Sequence, residues 1–251
     1  MLLPHRQDTV HKAWLLRLLT AISEDTLLSE KFGFKGGTCA AMRGLSNRFS
    51  VDLDFDLLAE EKEMPNIRKA LEKIFAMLGL EIKDQSAKVP QYFLKYQTGD
   101  LSKSNTGRNT IKLDVSFPAP STNDYEMIPL PEIDRVVKCQ TLETLVANKL
   151  VALIARYERT GKLAGRDVFD VHQFLLNGYA YKAEVILQQR AESLQDFFQK
   201  LIDFVEKTVT NTLVDQDLNL LLPEDDFQKI RKILKQETLN LLKEELKRVR
   251  E

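Results

Sequence analysis

Cysteine is scarce, with only Cys39 and Cys139 in 251 residues. Two thiols are too few for a disulfide scaffold or a zinc knuckle, and they suit a reducing cytoplasm. No apolar run approaches the roughly 18 residues of a membrane-spanning helix. The opening stretch, Met-Leu-Leu-Pro-His-Arg-Gln-Asp, lacks the apolar segment of a secretory leader. A cytoplasmic location without membrane attachment is the expectation. An excess of one charge is missing too: 36 basic residues face 37 acidic ones, a net charge of -1. That balance argues against coating nucleic acid non-specifically, which takes many phosphate contacts, but leaves room for a local basic groove. Internal repeats and low-complexity tracts are absent as well. What remains is an ordinary globular composition, 43% hydrophobic and 29% charged, long enough for one large domain or two small ones.

Residues 9–30 read as one helix, with Val10, Trp14, Leu18 and Ile22 at helical spacing. Phe32–Lys35 is a short strand ending in Gly-Gly, and Thr38 is placed to cap a helix over Thr38–Arg43. Ser50–Leu57 alternates: Val51, Leu53, Phe55 and Leu57 fall on one face, Asp52, Asp54 and Asp56 on the other. A helix with proline in its first turn follows over Pro65–Leu78. Leu80–Lys83, Gln91–Gln97 and Asn109–Phe117 read as strands, with Thr98–Arg108 a polar hairpin loop. Phe117–Pro131 carries four of the eight prolines and is expected to end the strand-rich half. From about residue 140 onward, Thr141–Tyr157, Arg166–Leu176, Tyr181–Ser193, Leu194–Leu213 and Asp225–Val249 show helical periodicity.

Three features of the first half bear on chemistry. Gly36-Gly37-Thr38 follows a strand, and two glycines let backbone N–H groups come close to an anionic ligand. Taken alone, such a tripeptide is more often an ordinary turn. Asp52 and Asp54 share one strand face, where like charges repel unless something positive compensates. A pair of divalent cations would do so, and a solvated edge strand is an equal alternative. Asp114, on a strand where Lys112, Asp114 and Ser116 share a face, could complete a metal cluster or take a proton from an attacking hydroxyl. Together these outweigh their parts. A Gly-Gly-hydroxyl turn, Asp-x-Asp 14 residues later and a further strand carboxylate form the pattern of polymerase β-like nucleotidyltransferases. Phosphoryl transfer of that kind needs positioning and charge neutralisation above all.

The helical half adds charged residues where apolar ones belong. On Thr141–Tyr157 the stripe of Leu142, Leu145, Val146, Leu153 and Tyr157 includes Lys149 and Arg156. Lysine seldom goes inside unpaired, so either its stem snorkels to water or the face lines a cleft and meets an anion. On the next helix Asp167 lies within the arc of Val168, Val171, Phe174 and Leu175, as a helix-start carboxylate or a lysine's partner. Lys149, Arg156, Arg159, Lys162 and Arg166 form a basic cluster that could receive a triphosphate or an RNA backbone.

At these residues the sequence resembles the AbiEii/AbiGii-type nucleotidyltransferase toxins, which include the MenT enzymes. Phe34-Lys35-Gly36-Gly37-Thr38 is similar to their Lys-Gly-Gly-Thr turn, and Arg48-Phe49-Ser50-Val51-Asp52-Leu53-Asp54 to their Arg-x-Ser-x-Asp-x-Asp strand. Glu143…Lys149 and Arg166-Asp167-Val168-Phe169-Asp170 resemble their two helical motifs. In place of the Ala-Leu that often follows the turn, this chain has Cys39-Ala40-Ala41-Met42. The resemblance implies an α+β architecture: a polymerase β-like domain of mixed sheet and flanking helices over residues 1–138, then an α-helical domain over 139–251. It implies an NTP substrate, Mg2+, an RNA acceptor such as a tRNA 3′ end, and a toxin role with a cognate antitoxin. By position Ser50, Asp52, Lys149 and Asp167 match the family's key residues. The full expected site has Asp52, Asp54 and Asp114 as metal ligands, with Lys149 and Asp167 completing the catalytic set. Lys35, Gly36, Gly37, Thr38, Arg48, Ser50, Lys149 and Arg156 would hold the nucleotide. Two rival readings are NMP transfer to a protein or small molecule, and a nucleotide-binding module without catalysis.

Overall fold

The computed structural model describes residues 1, 3, 5, 6, 8–97 and 108–251. The hairpin loop expected over Thr98–Arg108 lies outside the described residues apart from Arg108. A seven-stranded mixed sheet organises the first half. It comprises β1 (Phe32–Lys35), β2 (Asp52–Leu57), β3 (Glu81–Gln85), β4 (Gln91–Lys95), β5 (Thr110–Ser116), β6 (Tyr125–Leu130) and β7 (Arg135–Gln140). Their order is β3-β4-β5-β2-β1-β7-β6. β2 is therefore central, parallel to β5 on one side and antiparallel to β1 on the other. The edge-strand alternative for Asp-x-Asp is thereby removed.

The alternation seen in the sequence explains the layering. Leu53, Phe55, Leu57, Ile111, Leu113 and Val115 are buried on one sheet face, under α1 (Asp8–Glu24), α2 (Thr26–Lys31) and α4 (Met64–Leu78). The opposite face carries the aspartates. Two strands depart from the expected plan. The proline-rich segment does not end the sheet; β6 and β7 form its other margin. Pro129 is tolerated because β6 is the edge strand, where a missing N–H breaks no ladder.

Two expected helices are each split by a capping side chain. Residues 9–30 break at Asp25, whose carboxylate accepts from Leu28 N at 3.0 Å and starts α2. Leu194–Leu213 breaks at Thr210, which caps α9 (Asn211–Leu218) after α8 (Leu194–Thr208). In both cases a short polar side chain offers the backbone a better partner than helix continuation. The Gly-Gly turn also differs. α3 (Gly36–Met42) already begins at Gly36, so Thr38 lies inside the helix and does not cap it.

After Gln140 the chain is helical. α5 (Leu142–Thr160) starts at Thr141, whose hydroxyl caps Thr144 N, and ends at the left-handed Gly161. α6 (Gly165–Leu176), α7 (Ala183–Arg190), α8, α9 and α10 (Glu224–Arg250) follow, with α10 packed on α6, α8 and α9. None of the described helices is long and apolar enough to cross a membrane.

Candidate active site

The floor of the site is the polar face of β2 and β5. Parallel pairing puts Asp54 directly opposite Asp114 and Asp52 opposite Lys112. Three carboxylates thus share one face of two adjacent strands. Burial, then the charges of Asp52 and Asp114, push the Asp54 carboxyl up to about 6. Lys112 extends from the same strand face to an ion pair with Asp114.

Asp56, one strand step beyond Asp54, is held in another way. It is fully buried and accepts from Lys35 Nζ at 2.6 Å, Gln140 Nε2 at 2.7 Å, Tyr125 Oη at 2.8 Å and Asn123 Nδ2 at 3.0 Å. Those donors come from β1, β7, β6 and the β5–β6 connection, so Asp56 stitches the sheet's margin to its centre. Lys35 also donates to Ser116 Oγ at 2.8 Å, which leaves its ammonium engaged in this stitch.

The Gly-Gly turn lies against the aspartates. Gly36 sits at φ +78°, a region that favours glycine, and a side chain there would run into Asp54. A Cβ on Gly37 would lie 2.5 Å from Arg48 Nη2. The glycines therefore let the turn approach both the carboxylates and Arg48. Thr38 is buried; its hydroxyl bonds Ser50 Oγ at 2.9 Å and the Asp52 carbonyl, tying α3 to β2.

The opposite wall is built from α5 and α6. Arg48 makes a two-pronged pair with Asp170, Nε to Oδ1 at 2.8 Å and Nη2 to Oδ2 at 2.6 Å. Ser46 Oγ adds a bond to Asp170 at 2.8 Å. Lys149 Nζ reaches Asp170 at 3.0 Å and Asp167 at 3.1 Å, and Arg156 Nε reaches Asp167 at 2.8 Å. Burial alone would raise the Asp167 and Asp170 carboxyls, but the cations outweigh it and hold both below the ordinary range. The ammonium of Lys149 neither snorkels to water nor stands unpaired. A backbone bond from Phe49 N to Leu221 O at 2.9 Å fastens the same loop to the helical half.

Between floor and wall lies a cavity of about 500 Å3. Asp52, Asp54, Asp114, Lys149, Asp167, Lys35, Gly36, Gly37, Arg48, Ser50 and Arg156 all line it. Thr38 does not, and of the basic cluster Arg159 and Arg166 line it but Lys162 does not. Several lining residues were not singled out from the sequence. Lys112, Gln140, Asn148 and Gln189 belong to this group. Asn148 was findable, since it lies three residues from Leu145 and four from Ala152, on one helical face. Asp170, the hub of the wall, stood in a quoted motif but not among the candidates. Its role depends on Arg48, 122 residues away, and no local pattern signals that.

Oxygen donors clustered around an uncompensated carboxylate suit a hard divalent cation. Among the described residues, however, no three acidic, histidine or cysteine side chains converge into a formed metal cage. Lys112 on Asp114 supplies part of the compensation instead.

Comparison with known proteins agrees with this architecture. The profile of a family described as "Nucleotidyl transferase AbiEii toxin, Type IV TA system" matches residues 17–245. No curated protein matches the sequence. Among solved structures, JHP933 from Helicobacter pylori aligns with a TM-score of 0.53 at 21% identity, covering 96% of this chain and 95% of that one. A candidate nucleotidyltransferase from H. pylori aligns with a TM-score of 0.55 at 20% identity, covering 96% and 98%. At such identities the two structures speak for the fold. The family match spans most of the chain, which belongs to the AbiEii nucleotidyltransferase toxin family and is a nucleotidyltransferase.

Proposed function

We propose that this nucleotidyltransferase moves an NMP from an NTP to RNA, with a tRNA 3′ end as the favoured acceptor, in a Mg2+-dependent reaction. The observation that carries the reading is the register of β2 and β5, which puts Asp52, Asp54 and Asp114 on one face beneath a cationic wall. Asp52 and Asp54 would hold the metal, with Asp114 as a further ligand or as proton acceptor. When bound, Mg2+ would neutralise the triphosphate and the attacking oxygen.

The chain's own groups account for the rest. Gly36 and Gly37 leave space for phosphate oxygens beside Asp54. Lys149 and Arg156 attract the triphosphate, and Asp167, bonded to both, orients them. The acceptor hydroxyl oxygen attacks the α-phosphorus, the bond to the β-phosphate bridging oxygen breaks, and pyrophosphate leaves. The hydroxyl proton passes to Asp114 once Lys112 has moved aside. Arg48, Ser50 and Thr38 keep turn and strand in register. As a toxin of this family the chain would have a cognate antitoxin. Arg159 and Arg166, which line the cavity and form no ion pair with any described residue, favour a polyanionic acceptor.

The test is incubation with each labelled NTP, Mg2+ and total RNA. Label on RNA, at the tRNA 3′ end, is the expected result. Label on protein, or on a small molecule, would replace the acceptor while keeping the chemistry. An Asp52→Ala variant as toxic as wild type, with equal NTP turnover, would remove catalysis from the function.

A further inference from the structure

The cavity has two chemically different ends. One is the cation–carboxylate wall running from Gly37 through Arg48, Asp170, Lys149 and Asp167 to Arg156. The other is lined by the neutral amides of Asn148 and Gln189. There a relay of amides leads out from the buried Asp56. Asn123 Nδ2 donates to Asp56, Asn148 Nδ2 donates to Asn123 Oδ1 at 3.0 Å, and Gln189 Nε2 donates to Asn148 Oδ1 at 2.7 Å.

This relay fixes which way each amide points. Asn148 spends its amide protons on Asn123 Oδ1 and on the Thr144 carbonyl at 3.1 Å, so it can offer the cavity only an acceptor. Gln189, exposed on α7, has one N–H committed to Asn148 and keeps an oxygen and a second N–H. A triphosphate belongs at the cationic end, and the rest of the nucleotide must then extend toward the amides. A side-chain amide offering a donor and an acceptor together matches the edge of a nucleobase, as glutamine does with adenine.

We propose that Asn148 and Gln189 form the base-reading end of the cavity and set the NTP preference, favouring a base with an exocyclic amine over uracil. The Asn148 oxygen accepts from that amine. Uracil instead presents carbonyl oxygens at the corresponding position, where they face the Asn148 oxygen and leave its second lone pair, the one not taken by Gln189, without a donor. The inference rests on the nucleotidyltransferase reading of this cavity, though not on the identity of the acceptor.

The test is equilibrium binding of ATP, CTP, GTP and UTP in Mg2+ with no acceptor present, by calorimetry, on wild type, Gln189→Leu and Asn148→Ala. Gln189 is exposed, so its variant should fold as wild type does; thermal unfolding of both variants checks this. The expected result is weakest binding of UTP by at least about tenfold in wild type, with the spread narrowed to about twofold in both variants. Equal binding of the four by wild type overturns the proposal, and so does an unchanged spread, or an equal fall for all four, in a folded Gln189→Leu. The two readings can fail separately. A base preference that collapses in the variants, without label reaching RNA, removes the RNA acceptor alone. Transfer to RNA with an unchanged spread removes the base-reading role alone.

Discussion

The two ends of β2 hold their carboxylates by opposite means. At one end Asp56 accepts from four donors and is sealed from water. At the other, Asp52 and Asp54 look across at a third carboxylate, with Asp54 pushed up to about 6 by burial and its neighbours. The residue type, the strand and the face are the same. The difference lies in what stands opposite: β1, β6 and β7 supply Asp56 with hydrogens, whereas β5 supplies Asp54 with another acid. A satisfied charge serves the fold, and an unsatisfied one is available to a ligand.

The sharpest break in that comparison is Asp52→Ala. It should lower NMP transfer by about a thousandfold or more, equivalent to roughly 4 kcal/mol of barrier, with an unchanged melting temperature. Steady-state turnover and calorimetric melting measure the two sides. Asp56→Ala should do the reverse at first sight, costing about 3–5 kcal/mol of stability because it removes the shared acceptor of Lys35, Tyr125 and the buried Asn123 and Gln140. Urea unfolding that shows no loss would mean the four bonds are dispensable. Gly37→Ala comes next. Its Cβ must displace Arg48 from its place beside the turn, and a fall of about tenfold in turnover with about 1–3 kcal/mol of destabilisation is expected.

Smaller effects come from pH and from Lys112. The folded-state pKa of Asp54 is raised, so the native protein binds that proton more tightly than the unfolded chain does. Without divalent cation, this group's contribution to stability should be greatest below pH 4 and decline as pH rises through about 6. Asp54→Asn should flatten that decline, leaving the variant the more stable protein at pH 7.5. An equal slope in both proteins would place the pH dependence elsewhere. Lys112→Met removes the cation that holds Asp114. The expected result is a several-fold gain in Mg2+ affinity by calorimetry, since the ion no longer competes with an ammonium.

Much of this was legible in the sequence because it is local. The alternation of Ser50–Leu57 and Thr110–Phe117 gave both the sheet's buried layer and the acidic face. Lys149 and Asp167 announced themselves as charges on apolar helical faces. What stayed hidden depends on pairing across long distances. Asp56 reads like Asp54 until β6 and β7 are placed beside it, and the prolines of Phe117–Pro131 disguise those strands. Asp170 reads as the tail of a motif until Arg48 meets it. Thr38 looked like a cap because nothing local shows that Gly36 starts the helix.

The clasp of Arg48 on Asp170 has a genetic consequence. Neither side chain forms part of the acidic floor, yet losing Asp170 strips the buried Arg48 of its ion-pair partner, and losing Arg48 leaves the buried Asp170 with Lys149 as its one remaining ion pair among the described residues. Selection for cells that escape the toxin should therefore recover changes at both positions as readily as at Asp52. The escapees should separate by abundance: a folded, silent protein for Asp52, and depleted protein for Arg48 or Asp170. Inherited variation at one of the two sites is then constrained by the other, although they stand 122 positions apart.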